Sequence, residues 1–205
     1  MCIKSHPLYL YTYVKELFII AFIVIFIAYK YQYKKIMYAA IGFVLVLLGF
    51  FRNNLGPIEK NAHLFLSPSS SKIVKIRLTD LFTVVSTYLS PLDNHFMIAP
   101  CDCLVIDKIY KPQRKYDSEC MRHVMKTSAG DKFYLDQIVS KPLHWGWIPS
   151  LLYDRCVSFV KVGDRLKQGE RFGLIRFGSN MEYGLPLSYG LNHTVGDKVK
   201  MGEPL

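Results

Sequence analysis

Two uncharged hydrophobic runs lie near the start of the chain and are separated by a short basic stretch. The runs are LFIIAFIVIFIAY at 17–29 and IMYAAIGFVLVLLGFF at 36–51, with KYQYKK between them. Continuous apolar runs of this kind are typical of helices that face lipid. As helices they reach roughly 20 and 24 Å, which is short of the roughly 30 Å hydrocarbon core of a bilayer. The pattern predicts an N-terminal hydrophobic helical hairpin within residues 1–51.

Two membrane arrangements stay open for this hairpin. The first helix can begin near Leu8 and cross the bilayer with Lys15 snorkelling beside Glu16, or the hairpin can dip into one leaflet. Lysines occur both in the loop and on the flanks, so the charge distribution does not fix the topology. A cleaved signal peptide is the alternative to an anchor. It is disfavoured because no small-x-small site follows the first run and a second run follows directly.

Beyond Phe51 the pattern changes to short apolar runs punctuated by prolines, which leaves little room for long helices. These runs are rich in β-branched and aromatic residues, as strands are. The predicted strands are 72–78, 81–89, 103–110, 132–139, 156–160 and 171–178. The polar segment 111–130 is interpreted as a loop or a long hairpin tip. We therefore expect a mainly β domain over residues 52–205.

One internal repeat refines this fold class. The sequence VGDRLKQGE at 162–170 recurs as VGDKVKMGE at 195–203, with six of nine positions identical. In each copy Gly-Asp can start a tight turn and the second glycine can supply a positive φ, so two equivalent turns are predicted. The pattern is similar to the barrel-sandwich hybrid of lipoyl and biotinyl carrier domains. The expected fold is thus a barrel-sandwich-hybrid-like β domain preceded by the hydrophobic helical hairpin.

The same repeat raises a carrier function as an alternative. Val199-Lys200-Met201 resembles the Met-Lys-Met sequence of biotin carriers, which would make Lys200 the modified residue. A carrier lysine lies at the tip of a hairpin with a strand after it. Only four residues follow Met201, and this disfavours the carrier hypothesis.

Charge indicates the kind of partner the chain binds, and cysteine content indicates the cellular compartment that the domain faces. The net charge is +10 with 51% hydrophobic residues, so the chain can bury a core and favours an anionic partner. The basic residues are scattered, which favours anionic lipid over nucleic acid. The five cysteines are an odd number without a C-x-x-C pair. They are interpreted as reduced thiols in a domain that faces a reducing, cytoplasmic compartment.

Four segments together resemble the short type of phosphatidylserine decarboxylase. They are Phe50-Phe51-Arg52-Asn53, Leu66-Ser67-Pro68, Tyr88-Leu89-Ser90-Pro91-Leu92-Asp93-Asn94-His95, and the sequence GERFGLIRFGS at 169–179. Their order and spacing also fit the family. The resemblance covers roughly residues 36–203, and the second pair of motifs is specific when both are present.

The resemblance implies an enzyme that processes itself. The chain would be cut between Gly178 and Ser179, and Ser179 would become a pyruvoyl group, the only cofactor, with no metal. His95 would act as the base, and Asp93 belongs to its motif. The substrate would be phosphatidylserine at a membrane, converted to phosphatidylethanolamine and carbon dioxide. Membrane lipid is therefore an expected partner, nucleic acid is not, and a homo-oligomer is compatible with the sequence.

The chain departs from the family pattern at two positions of the first motif. Family members carry S-P-x-D-G, and the resemblance implies that its aspartate orients the catalytic histidine; here Ser70 and Ser71 replace Asp-Gly. The alternative hypothesis is therefore an inactive, unprocessed membrane-bound homologue that binds lipid or a protein partner. Segment 141–149, with Trp145 and Trp147, has no family counterpart and could form an apolar rim or core.

Overall fold

The structure is a computed structural model that describes residues 15–51, 58, 61, 63–113, 118–139, 156–176 and 180–205. Its helices are α1 (Lys15–Lys30) and α2 (Lys34–Phe50). Its strands are β1 (Ser71–Leu78), β2 (Phe82–Tyr88), β3 (Phe96–Ile98), β4 (Cys103–Gln113), β5 (Ser118–Thr127), β6 (Lys132–Val139), β7 (Cys156–Ser158), β8 (Arg165–Leu166), β9 (Arg171–Ile175), β10 (Asn180–Pro186) and β11 (Lys198–Val199). The chain divides into two compact units, Met1–Asn53 and Asn54–Leu205. The domain boundary predicted after residue 51 stays a prediction.

The two predicted helices are present and contact each other across a short turn. Gln32 in this turn has a φ of 61°, which lets the chain reverse between α1 and α2. Large apolar side chains are exposed on both helices, including Phe22, Phe26, Leu45 and Val46. Among the described residues, no helix combines the length and the apolar character needed to cross a membrane.

The second unit is mainly β, as predicted, and its sheets are antiparallel. Among the described strands, one sheet contains eight in the order β11-β1-β2-β10-β6-β5-β4-β8, and the other contains three in the order β3-β9-β7. A single hydrophobic cluster draws on both sheets. Its fully buried members include Ile73, Val85, Phe172 and Tyr183. Burial of these side chains is the main stabilising contribution to the unit.

Several strand boundaries differ from the prediction for physical reasons. Residues 118–127, expected in a loop or hairpin tip, form β5 in the interior of the large sheet. Its buried positions include a histidine, His123, between Met121 and Met125, which breaks the apolar alternation. β10 was not predicted because Gly184 and Pro186 weaken its strand pattern. The strand predicted over 171–178 ends at Ile175.

The predicted repeat turns are confirmed. In each copy the aspartate carboxylate accepts a hydrogen bond from a backbone N–H three residues earlier: Lys161 to Asp164 at 2.9 Å, and Thr194 to Asp197 at 2.8 Å. Both glycines of each copy have a positive φ, with values of 92° and 81° for Gly163 and Gly169 and 105° and 88° for Gly196 and Gly202. Glycine tolerates this conformation without strain. The repeat is therefore structural as well as sequential.

A buried polar pair joins the two sheets. The Nε2 atom of His123 on β5 lies 2.9 Å from the Ser158 hydroxyl on β7, and the imidazole packs edge-on against Phe172. The Ser158 hydroxyl is also 3.1 Å from the backbone carbonyl of Val160. Because His123 is fully buried, we interpret this contact as a structural link rather than a catalytic pair. Burial, reinforced by the charge of Lys108, lowers the pKa of His123 to about 4.

The depressed pKa of His123 predicts a loss of stability in mild acid. The unfolded chain binds a proton on this histidine near pH 6.5 and the folded chain only near pH 4, so stability is retained above pH 6.5 and falls as the pH drops toward 4. Between pH 7.5 and 5 we expect His123 to lower the free energy of unfolding by about 2 kcal/mol. Urea unfolding at several pH values should show this fall in the free energy of unfolding for the parent and not for His123→Gln. Identical pH dependence in both proteins would contradict the assignment.

Candidate active site

His95 is held at the end of a tight turn that leads into β3. The backbone N–H of Ser90 donates to the Asp93 carboxylate at 2.7 Å, and the Asp93 N–H donates back to the Ser90 carbonyl at 2.9 Å. This reciprocal pair is the usual way in which an aspartate closes a turn. The Asp93 carboxylate therefore stabilises the turn, and His95, which is 1% exposed, follows it into the core.

The imidazole of His95 is oriented by a backbone group. Its Nδ1 atom lies 2.9 Å from the carbonyl oxygen of Asp93. A carbonyl oxygen only accepts hydrogen bonds, so Nδ1 carries the proton in this contact. In the neutral ring the lone pair then resides on Nε2, which is the tautomer a general base needs. Asp93 thus positions His95 in two ways: its carboxylate closes the turn before the histidine, and its carbonyl oxygen orients the imidazole ring.

The backbone places His95 beside the strand that leads to the predicted cleavage site. The carbonyl of His95 accepts a hydrogen bond from the N–H of Ile175 at 3.1 Å, at the end of β9. Gly178 and Ser179 themselves lie outside the described residues, as do Trp145 and Trp147. Asn180, directly after Ser179, begins β10 in the large sheet, whereas β9 belongs to the small one. The predicted cleavage site therefore lies on the connection between the two sheets.

Two equivalent segments bond to each other at the start of β1 and the end of β3. The N–H of Leu66 donates to the Pro100 carbonyl at 2.9 Å, and the N–H of Ile98 donates to the Pro68 carbonyl at 3.0 Å. The repeat turns cover them in the same way: Gly202 N–H bonds to the Ser67 carbonyl at 3.0 Å. The matching bond joins Gly169 N–H to the Ala99 carbonyl at 2.9 Å. Segments 66–71 and 98–103 are thus related by a local pseudo-two-fold.

This pseudo-symmetry makes Ser70 the counterpart of Asp102. The Ser70 hydroxyl accepts a hydrogen bond from the N–H of Met201 at 3.0 Å, in the second repeat turn. The Asp102 carboxylate accepts one from the N–H of Gln168 at 2.8 Å, in the first. Position 70 therefore caps a turn, and its side chain is directed to that turn. Sequence reasoning assigned a catalytic role to this position and missed its structural one, although the repeat carried the signal.

Lys200 lies in the second repeat turn, where its N–H donates to the Glu203 carboxylate at 2.8 Å. Lys167 holds the same place in the first turn, with its N–H 3.1 Å from Glu170. The resemblance to a biotin carrier thus falls on a turn that the chain builds twice.

Comparison with known proteins identifies the family. The sequence model of the family described as phosphatidylserine decarboxylase matches residues 43–205. The chain belongs to this family. It is 28% identical over 178 residues to the phosphatidylserine decarboxylase proenzyme of Geotalea uraniireducens (strain Rf4), with 78% of each chain covered. No solved structure matches the chain.

Two further relatives carry the same description. The phosphatidylserine decarboxylase proenzyme of Chlorobaculum tepidum (strain ATCC 49652 / DSM 12025 / NBRC 103806 / TLS) is 29% identical over 182 residues, which cover 82% of this chain and 79% of the relative. That of Syntrophus aciditrophicus (strain SB) is 30% identical over 170 residues, which cover 75% of each. The resemblance read from the motifs is therefore confirmed at the level of the family.

Within the phosphatidylserine decarboxylase family fold, one motif glycine has a packing explanation. Gly173 on β9 lies against the buried amide of Gln137 from the large sheet. A Cβ built at Gly173 would approach the Gln137 Nε2 atom to 2.5 Å. A Cβ here would also lie 3.0 Å from the Val157 carbonyl oxygen, so a larger residue would require the Gln137 amide to shift. Glycine therefore favours the close approach of the two sheets next to the segment that leads to the predicted cleavage site.

The role of position 70 can be tested by restoring the family residue. We expect Ser70→Asp to raise the free energy of unfolding by about 0.5–1 kcal/mol, because a carboxylate is a stronger acceptor for the Met201 N–H. We expect Ser70→Ala to lower it by about 1 kcal/mol, because it removes the acceptor. Chemical denaturation measures both changes.

The matched control for these variants is Asp102→Ser, which should also lower the stability because it weakens the equivalent cap in the first turn. None of the three should change the rate of self-cleavage by more than a few-fold. A gain of several orders of magnitude in the cleavage rate of Ser70→Asp, at constant stability, would show instead that position 70 orients the histidine.

Proposed function

We propose that this chain is a pyruvoyl-dependent phosphatidylserine decarboxylase that cuts itself between Gly178 and Ser179. The observation that carries the proposal is the hydrogen bond from His95 Nδ1 to the Asp93 carbonyl, which fixes a base-competent ring beside the strand leading to Ser179. Family membership supplies the reaction, since the matched relatives are described as phosphatidylserine decarboxylase proenzymes. A proenzyme is by its name a precursor that is processed.

Self-cleavage needs a base for one hydroxyl proton. The Ser179 hydroxyl attacks the carbonyl carbon of Gly178, and His95 accepts the hydroxyl proton through its unprotonated Nε2. The peptide bond is replaced by an ester, which is broken when the α-proton of residue 179 is removed. The chain of residues 1–178 then leaves with a free carboxylate, and the dehydroalanine left at residue 179 takes up water and releases ammonia to become the pyruvoyl group. Glycine at 178 keeps the attacked carbonyl accessible.

The residues near the cleavage site fit the cofactor that this processing would create. The pyruvoyl group supplies an electron sink for the loss of the substrate carboxylate as carbon dioxide. His95 is buried, and its ring is held in one tautomer. The ring therefore does not turn toward water, and it can return a proton to the product carbon. No step of this scheme requires the carboxylate that the family carries at position 70. For this reason we favour the active enzyme over an unprocessed homologue.

We propose that helices α1 and α2 attach the protein to a membrane as a hydrophobic hairpin. Their exposed surfaces are apolar on several sides, with Phe26 67% and Leu45 64% exposed. A helix that is hydrophobic all round suits a lipid environment and not water. A hairpin that dips into one leaflet is consistent with the lengths of the described helices, and it would keep the enzyme at the surface where its substrate lies.

Two finer assignments belong to the same proposal. We assign the β domain to the barrel-sandwich-hybrid type because its paired turns and crossing segments repeat with local two-fold symmetry. We also place this domain in a reducing, cytoplasmic compartment. The support is chemical: among the described residues, Cys101, Cys103, Cys120 and Cys156 are buried and form no disulfide, whereas an oxidising compartment favours paired thiols.

Decarboxylation by purified protein in phosphatidylserine micelles tests the proposed activity. The parent should release carbon dioxide, and Ser179→Ala should release none because it removes both the nucleophile and the source of the pyruvoyl group. His95→Gln should slow self-cleavage by a factor of about 10²–10⁴, the usual contribution of a general base.

Ser188→Ala is the matched control, since Ser188 is an exposed serine beyond the end of β10 and should be dispensable. Equal carbon dioxide release by Ser179→Ala and the parent would exclude the pyruvoyl mechanism.

A further inference from the structure

A row of residues crosses the large sheet and ends beside the predicted cleavage site. Lys198 on the edge strand β11 is opposite Lys72 on β1. Lys72 is in turn opposite Tyr88 on β2, and Tyr88 is opposite Asn180, the first residue of β10. Asn180 directly follows Ser179. The register therefore aligns two lysines with Asn180, the neighbour of the residue that would carry the pyruvoyl group.

The members of this row lie on the outer face of the sheet. Their neighbours Ser71, Val199 and Thr87 are buried, so by strand alternation Lys72, Lys198 and Tyr88 point away from the core. Both lysines are exposed, and Tyr88, which is 43% exposed, lies between Lys72 and Asn180. An anion that approaches this end of the sheet from solvent meets these side chains.

The lysine pair is electrostatically unbalanced. Like charges directly opposite each other on adjacent strands are destabilising. Across the part of the chain that the structure describes, neither Lys72 nor Lys198 makes an ion pair. Arg77, further along the same face of β1, is by contrast paired with Glu182 at 3.1 Å. A bound anion would relieve the repulsion that the sheet register creates.

An opposed lysine pair is not by itself sufficient. Lys126 and Lys132 also face each other, across β5 and β6, but they lie at the end of β6 remote from Asn180. What distinguishes the pair of Lys72 and Lys198 is its alignment with Asn180. The chain thus contains an internal control, a second exposed lysine pair on the same sheet that is far from the predicted site.

We propose that Lys72 and Lys198 bind the phosphodiester of the serine phospholipid headgroup and so position its amino group at residue 179. The inference rests on the proposed function and adds a substrate subsite to it. Strands are about 4.8 Å apart, which puts the Lys72 Cα roughly 10 Å from the Asn180 Cα. A lysine side chain spans roughly 6 Å of this gap, and in the headgroup three atoms separate the amine from the phosphorus.

Steady-state decarboxylation in mixed micelles tests this subsite. The double variant Lys72→Gln/Lys198→Gln should raise KM for phosphatidylserine roughly tenfold through the loss of charge-assisted contacts, with kcat and self-cleavage unchanged. The matched double variant Lys126→Gln/Lys132→Gln removes the same charge and should leave KM within about twofold of the parent. Equal KM values in the two double variants would overturn the proposal.

A binding experiment separates this inference from the proposed function. Parent and both double variants are sedimented with vesicles of phosphatidylcholine alone and of phosphatidylcholine with phosphatidylglycerol. The phosphodiester of phosphatidylglycerol carries a net negative charge and no amine, whereas that of phosphatidylcholine is neutralised by its choline group. The gain from phosphatidylglycerol should fall several-fold more in Lys72→Gln/Lys198→Gln than in the control. This result does not depend on decarboxylation, so an inactive parent would refute the function and leave the subsite testable. Equal loss in both variants, or saturation of the pair by inorganic phosphate but not by vesicles, would overturn the subsite.

Discussion

The reciprocal hydrogen bonds between segments 66–71 and 98–103 are the constraint on which the site depends. Leu66 and Ile98 each donate to the proline carbonyl of the other segment, at 2.9 and 3.0 Å. This crossing links the start of β1 to the end of β3 and lets the two repeat turns cap the two segments in the same way. His95 lies only three residues before Ile98, so the crossing also fixes where the histidine enters the core.

The orientation of His95 by a backbone carbonyl explains how this chain can tolerate Ser70. A catalytic histidine needs a partner that holds one ring nitrogen protonated, and a carboxylate or a carbonyl can do this. Here the Asp93 carbonyl is that partner, and it lies in the turn that the Asp93 carboxylate closes. The side chain at position 70 instead caps the turn at Met201. A substitution at position 70 therefore affects the stability of the fold more than the rate of self-cleavage.

The sequence predicted the β class, the two helices and both repeat turns because each follows from local signals: apolar runs, β-branched residues, and Gly-Asp spacing. The sequence did not predict β5 and β10, because His123 in β5 and Gly184 and Pro186 in β10 interrupt the residue pattern of a strand. Both segments nevertheless form strands because each pairs with a neighbouring strand on both sides, which overrides the local preference. Family motifs predicted His95 and Ser179 as site residues. They did not reveal that the Asp93 carbonyl orients the ring, which depends on the local conformation of the turn. Nor did they reveal that Lys72 aligns with Asn180, which depends on the register between distant strands.

The most direct test of the account is an intact-mass spectrum of the purified protein with its natural Ser70. If the Asp93 carbonyl suffices to orient His95, two chains appear, residues 1–178 and a 27-residue chain of residues 179–205. The shorter one should be about 17 Da lighter than its unprocessed sequence, as expected when an N-terminal serine becomes a pyruvoyl group. A single uncut chain that persists on prolonged incubation, and that becomes cut in Ser70→Asp, would contradict it.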